Sequence, residues 1–389
     1  MSLGIWLFIL ALLVVIMIHE AGHFAMAKLF NFKATKFFLG FGPTLWSFTK
    51  GETEYGVKAI PAGGFVKIVG MNPYEDVPPE DRVRSYENKP AWQRAIVLVA
   101  GSATHWVVAF LLLLFAALAI GFPAGLSNRL EAVTVASAAD EGGLLAGDEI
   151  VAVDGTETQS WNVIREFIRD HGGERAEFTV LRDGEKRTFT TTLSRGISNE
   201  DGLIVDEAEP GEQLRPLKEG EEVVGFFGVE PSIRYETEPF PQAIGTAAVY
   251  TGRATVEAVK GVGDVGSMIF GGRLIDALTG EGTREADGES PVGVVGASRI
   301  ASEIVASGQY LNFIGFIVSF TIFIGLMNLL PLPPLDGGHL AVVAWESVTG
   351  RKVDVRKLIP VAAAVISFFV IIFIAVLYLD IARPIKVPF

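Results

Sequence analysis

Four stretches of this 389-residue chain are long and apolar enough to cross a hydrocarbon core, which takes about 20 such residues. They run from Leu3 to Leu29, Ala95 to Phe122, Leu311 to Leu330 and Leu358 to Leu379. In lipid every backbone polar group must be satisfied within its own segment, so these stretches are expected to be helices of a polytopic α-helical membrane protein. The first is not expected to be a cleavable signal. It has no basic leader and no small-residue cleavage site, and it carries ionisable groups inside its apolar run. Only 20% of the residues are charged, against about 25% in a soluble domain. The net charge of −13 argues against a nucleic-acid partner. With no cysteine, disulfides, thiolate ligands and a Cys nucleophile are excluded.

Charge sorts the segments between the apolar stretches. Lys28–Arg94 holds ten Lys/Arg against seven Asp/Glu, and Leu332–Lys357 holds four against three. Phe122–Gly308 holds sixteen against thirty-three. By the positive-inside rule the two basic segments face the cytoplasm, which puts the acidic middle and both termini outside. Thr53–Ile60 and Gly64–Gly70 read as strands around a Pro-Ala-Gly-Gly turn, a hairpin. In the acidic segment Asp148–Gly155 reads as a strand ending in a turn and Trp161–Asp170 as a helix. Arg175–Leu193 reads as a hairpin turning at Asp183-Gly184. Asn199–Glu222, acidic with Gly and Pro, reads as a loop. Phe240–Leu278 is rich in Gly and Ala, and its pattern assigns it to no element.

The first apolar stretch contains His19-Glu20-Ala21-Gly22-His23. Histidines four apart on a helix differ by about 40° in azimuth, so both rings reach one ion. A glutamate following the first His lies beside that ion, where it takes a proton from water. Three ionisable groups within one turn are costly in hydrocarbon, and metal ligation with proton transfer justifies that cost. A catalytic tetrahedral metal wants a third protein ligand and an open position. The third apolar stretch ends in Asn328-Leu329-Leu330-Pro331-Leu332-Pro333-Pro334-Leu335-Asp336-Gly337-Gly338-His339. Its prolines break the helix and its glycines permit a tight reversal. Irregular backbone at membrane depth lines a wet cleft or is buried in protein, so this segment is expected to present Asp336 inward. His339 is either a further ligand or, if a helix resumes and turns it away, a structural residue.

Taken together, His19-Glu20-xx-His23 and Asn328-xx-Pro-x-Pro-x-Leu335-Asp336-Gly-Gly resemble the site-2 protease family of intramembrane zinc metalloproteases, closest to the bacterial regulator-of-sigma-factor type with one PDZ insertion. Gly40-Phe41-Gly42-Pro43, Gly63-Gly64-Phe65-Val66-Lys67 and Pro291-Val292-Gly293 add to the likeness. The resemblance implies one zinc ion held by His19, His23 and Asp336, Glu20 as general base, and Asn328 on the substrate backbone or the developing oxyanion. It also implies that the Gly56–Val69 hairpin lies against the site and adds substrate as a strand. The family often has Gly-Pro-x-x-Asn in its second helix. Here that stretch reads Gly101-Ser102-Ala103-Thr104-His105, and His105 is either a substrate or oxyanion contact or a polar packing residue. Ala138–Ile150 with Val153-Asp154-Gly155 resembles a PDZ domain that Val223–Pro231 closes, with Gly125-Leu126 the nearest candidate for a carboxylate-binding loop.

The expected architecture is therefore about four transmembrane helices, a membrane-associated β-hairpin or sheet, and an inserted α+β PDZ-like domain. Its parts are 1–30, the first transmembrane helix; 31–94, a cytoplasmic-side β-rich segment; and 95–122, the second transmembrane helix. Then come 123–236, the PDZ-like domain; 237–308, an amphipathic segment; 309–357, the third transmembrane helix with its Asp336 segment; and 358–389, the fourth transmembrane helix and tail. The expected activity is zinc-dependent intramembrane endopeptidase, in the plasma (inner) membrane of a bacterium. Its partners are the lipid bilayer and substrates with one transmembrane helix, such as anti-sigma factors or signal-peptide remnants, including the product of an upstream site-1 protease. The rival reading is a catalytically silent membrane adaptor that binds partners through the PDZ-like domain.

Overall fold

The computed structural model describes residues 3–72, 74–199, 204–208, 214–279, 284–285 and 291–386. Met1–Ala119 and Glu238–Phe389 form one compact unit, and Ile120–Thr237 forms a second. The first unit opens with α1 (Leu3–Leu29), followed by β1 (Ala34–Lys50), β2 (Thr53–Ile68) and α2 (Ala91–Phe115), which continues in π-helical form to Ile120.

The two strands bend back on themselves. Residues 44–50 pair with 53–58 across the Gly51-Glu52 turn, while 34–39 pairs on one side with 54–57 and on the other with 64–68. The two segments expected to form a hairpin therefore do not pair with each other; 34–39 lies between them. The sequence pattern gives no strand over 34–50 because Gly40, Gly42 and Pro43 look like loop residues, yet they sit where the strand bends, Gly40 and Gly42 with positive φ. Phe41, Leu45, Trp46, Phe48 and Ile60 stand exposed on this sheet, a surface that suits lipid or a partner chain better than water. Lys28 at the end of α1 and Arg84 both hold Glu52 beside the turn, at 2.7 and 2.6 Å. Ala27, Phe32, Ile68, Val97, Leu98 and Val343 form the core beneath.

The second unit runs β3 (Phe122–Val133), α3 (Ala138–Glu141), β4 (Glu149–Val153), β5 (Thr156–Glu157), α4 (Trp161–Asp170), β6 (Arg175–Arg182), β7 (Glu185–Thr192), β8 (Ser194–Ser198), β9 (Ile204–Ala208), β10 (Glu222–Phe226) and β11 (Val229–Glu236). One sheet has the order β11-β3-β4-β6-β7, with β5 on β4; the other is β10-β8-β9. The β6–β7 hairpin turns at Asp183 and Gly184, both with φ near +60 to +80°, as a tight hairpin turn requires. Leu130, Leu144, Ile150, Ile164, Phe178, Val180 and Phe227 fill its core, each contributing about 1.5–3 kcal/mol. Two expectations change. Val223–Pro231 is not one strand but two, in different sheets, because Gly228 breaks it at φ +75. The acidic loop contains a strand, β9, pairing with β8, and the rest of Asn199–Glu222 lies partly outside the described residues.

The chain then returns to the first unit with α5 (Phe240–Phe270), α6 (Arg273–Thr279), β12 (Arg284–Glu285), α7 (Val294–Ala306), α8 (Tyr310–Asn328), α9 (Asp336–Thr349), α10 (Ile359–Ala382) and β13 (Ile385–Lys386). The unassigned Gly- and Ala-rich segment is thus mostly one long helix. Its glycines lower helix propensity, but Ala243 and Ala247 are fully buried and tertiary packing against α2 and α8 overrides it. Among the described residues, four helices are long and apolar enough to span a membrane: Leu3–Leu29, Ala91–Ile120, Tyr310–Asn328 and Val355–Ala382. The last is only 6% buried across its most apolar window. So large an apolar surface is stable in lipid and not in water. The chain is a polytopic membrane protein with β-sheets.

Candidate metal centre

The site is assembled from α1, α2, α8 and α9. The i, i+4 spacing puts His19 and His23 one turn apart on the buried face of α1, with their rings edge to face at 4.7 Å. Gly22 between them lets α2 approach: a Cβ there would meet the Ala100 carbonyl at 2.5 Å. Three prolines end α8, and α9 restarts at Asp336, whose carboxylate therefore sits in a helix's first turn, where the dipole favours an anion. The two following glycines are required by space. A Cβ on Gly337 would lie 2.1 Å from the Leu329 carbonyl, and one on Gly338 would lie 2.5 Å from the Pro333 nitrogen. Without them the helix cannot fold back onto the turn that delivers Asp336.

Three atoms converge. His19 Nε2 and His23 Nε2 are 3.1 Å apart, and each is 3.2 Å from Asp336 Oδ2. The sequence expectation named these three residues, and among the described residues they are the group that can share one ion. Zinc bonds of 2.0–2.1 Å at tetrahedral angles separate neighbouring ligands by about 3.3 Å, so the triangle has the right edge. Asp336 Oδ2 is buried and has hydrogen-bond geometry to no partner, although both imidazole nitrogens are close. An acceptor aimed at the same point as two ring nitrogens fits a cation, and two imidazoles with one carboxylate suit zinc.

Glu20 lies beside the triangle. Its carboxyl interacts electrostatically with His19, His23 and Asp336 and faces the backbone N–H of Val66 on β2. The strand passes close by: a Cβ on Gly64 would touch Glu20 Cγ at 3.0 Å and Met17 Sδ at 3.2 Å. Residues 64–68 pair with 34–39 along one edge, and among the described residues no strand covers the other.

Behind the two imidazoles stands α2. Val97 O accepts a hydrogen bond from His23 Nδ1 at 2.7 Å. Gly101 makes room for the same ring, since a Cβ there would lie 2.2 Å from His23 Nε2. His105, 1% exposed, has Nε2 at 3.0 Å from His19 Nδ1 and Nδ1 at 2.8 Å from Thr321 Oγ1. Both ring nitrogens are thus engaged inside the protein. Asn328 is the last residue of α8 and is half-buried. His339 is not part of the His19–His23–Asp336 group and lines a cavity of about 220 Å³ with Tyr74, Pro333, Val342 and Leu358. The sequence gives Gly101 only as the start of the altered second-helix stretch, and Val97 only through its four-residue spacing from 101 and 105; nothing local points to Thr321 or Gly325 on α8.

The profile of peptidase family M50 matches residues 7–374. The chain is 33% identical over 412 residues to the zinc metalloprotease Rip1 of Mycobacterium tuberculosis (strain H37Rv), covering 98% of each chain. It is likewise 33% identical over 386 residues to Rip1 of Mycolicibacterium smegmatis, covering 92% of this chain and 89% of the relative. A putative zinc metalloprotease of Nostoc sp. is 29% identical over 358 residues, covering 90% and 87%. A zinc-shaped triangle with a carboxylate beside it and a family match over nearly the whole sequence lead to one conclusion: the chain belongs to peptidase family M50, the site-2 proteases, and is a zinc metalloprotease.

Proposed function

We propose that this protease cleaves the transmembrane segments of single-span proteins inside the bilayer of a bacterial plasma membrane. The observation that carries the reading is the His19–His23–Asp336 triangle, with Glu20 next to His19 in the sequence of α1 and residues 64–68 passing close to the Glu20 side chain. A helical substrate hides its peptide bonds, so it must unwind before hydrolysis. Strand addition along 64–68 holds the unwound segment extended beside Glu20. A bound zinc ion supplies Lewis acidity, polarising a carbonyl and acidifying water near neutral pH. Glu20 accepts the proton of the attacking water as the new C–O bond forms. It returns that proton to the amide nitrogen as the C–N bond breaks, leaving a carboxylate and an amine terminus. Asn328 donates to the substrate carbonyl.

The substrates are anti-sigma factors or signal-peptide remnants, delivered once an upstream protease has trimmed their outer part. Positive-inside charge puts the Lys28–Arg94 and Leu332–Lys357 segments in the cytoplasm, and the second unit and both termini outside. The second unit is a PDZ-like domain that screens substrates by size. Reconstitution with a single-span helical substrate tests the reading. Glu20→Gln is expected to keep zinc and lose about 10²–10⁴-fold in rate, as loss of a general base does. Cleavage persisting in that variant, or after zinc chelation, overturns the mechanism, and zinc binding without any turnover by the native chain favours an adaptor.

A further inference from the structure

The two histidines of α1 are braced differently. A histidine metal ligand presents one ring nitrogen to the ion and uses the other to fix its tautomer and orientation, most often by donating to a carboxylate, carbonyl or water. His23 follows that rule through the Val97 carbonyl, which only accepts, so the proton sits on Nδ1 and Nε2 offers its lone pair. His19 has a third imidazole instead.

We propose that His105 is a positioning residue for His19, and that Thr321 and Gly325 of α8 form the seat that holds it. This rests on His19 being a zinc ligand. For Nε2 of His19 to face the ion, Nδ1 carries the proton and donates to His105 Nε2 at 3.0 Å. His105 then carries its own proton on Nδ1 and donates to Thr321 Oγ1 at 2.8 Å. All donors point the same way, from α1 through α2 to α8, and each ring has one permitted tautomer. His105 and Thr321 are both essentially fully buried, so water does not substitute for either bond.

The neighbouring residues are shaped to this ring. A Cβ on Gly325, one turn beyond Thr321 on α8, would come within 3.0–3.1 Å of His105 Cβ, Cγ and Cδ2. On α2, Val97, Gly101 and His105 follow one another at four-residue intervals: the first binds the His23 ring, the second clears space for it, and the third binds the His19 ring. One stripe of α2 therefore sets the orientation of both imidazoles. An asparagine at 105 reaches less far than an imidazole and cannot bridge His19 and Thr321 at once. That gives the departure from the family's second-helix pattern a structural purpose.

The test measures zinc affinity by chelator competition, and the visible absorption of the Co²⁺-substituted protein, on the full chain in detergent. His105→Phe keeps the ring's bulk and removes the acceptor. It is expected to weaken zinc about 10–100-fold, as loss of an outer partner of a ligand does, and to shift the Co²⁺ bands. His105→Gln, which keeps an acceptor of similar reach, recovers most of the affinity and the native bands. Thr321→Val weakens zinc by a smaller factor and perturbs the bands in the same direction. Native affinity and native bands in a folded His105→Phe chain overturn the proposal. If that chain does not fold, native behaviour of Thr321→Val overturns it. A His19→Ala chain that still binds one zinc ion with native bands would instead reject the ligand set itself.

Discussion

Asp336 and Asp380 are both carboxylates on helices of the first unit, and their surroundings set them apart. Asp336 begins α9 and Asp380 lies near the end of α10. Asp380 is 1% exposed, yet it has donors: the backbone N–H of Gly296 at 2.8 Å and of Gly293 at 3.3 Å, the first turn of α7. Arg299 also donates to its backbone carbonyl at 2.8 Å. The glycines make that contact possible, because a Cβ on Gly293 or Gly296 would lie 2.6 or 2.8 Å from a carboxylate oxygen. Asp336 has the opposite surroundings. Its Oδ2 meets two ring nitrogens at 3.2 Å and no hydrogen-bond donor in proper geometry. Backbone donors that saturate a buried carboxylate mark a structural anchor, and lone pairs converging on it mark a cation site.

The largest expected effect separates the two. Asp336→Asn should abolish stoichiometric zinc binding and reduce cleavage by more than about 100-fold, beyond what losing an outer partner costs, with little change in helical content. Asp380→Asn should keep zinc and active-site geometry and lose about 1–3 kcal/mol of stability, because an amide puts a donor where the α7 N–H groups need an acceptor. Thermal melts read as a drop of a few degrees check the second, and metal analysis checks the first. Gly296→Ala should fall in the same stability range by overpacking against Asp380, again with zinc retained. Loss of zinc from a folded Asp380→Asn chain would break the distinction.

That contrast also separates what was legible in the sequence from what was not. His19, Glu20 and His23 could be read because a helix's period is fixed and ionisable groups are rare in apolar runs. Asp336 could be read because prolines and paired glycines have strong local consequences. The four spans follow from length. Asp380 was passed over because it sits one residue beyond the apolar stretch that ended at Leu379, and the α7 N–H groups it meets lie more than eighty residues earlier in the chain. The partners of His105 are similarly remote: His19 is 86 residues away and Thr321 is 216. No local pattern encodes such pairings. The fold-back of 34–39 between 54–57 and 64–68 was hidden for the same reason, since strand signals give no pairing partner.

A third carboxylate extends the comparison to water and carries the smallest effect. Glu52, at the β1–β2 turn, meets guanidinium and ammonium groups: Arg84 at 2.6 and 2.7 Å through both nitrogens, and Lys28 at 2.7 Å. The Arg84 hydrogen bonds foremost, then Lys28, outweigh partial burial and hold its pKa down at about 2 against an ordinary 4.5. Because the folded pKa is the lower one, this ion pair contributes its full stability above about pH 4.5 and loses it as the pH falls toward 2. All three side chains are nearly a third exposed, which screens the attraction, so Glu52→Gln should cost under about 1 kcal/mol at pH 7. Melting curves of the native and Glu52→Gln chains at pH 7 and pH 3 check this. Acid removes zinc from both chains alike, so the gap between them reports Glu52: a degree or two at pH 7, narrowing at pH 3. A gap that widened in acid would mean that Glu52 is held by something other than these two cations.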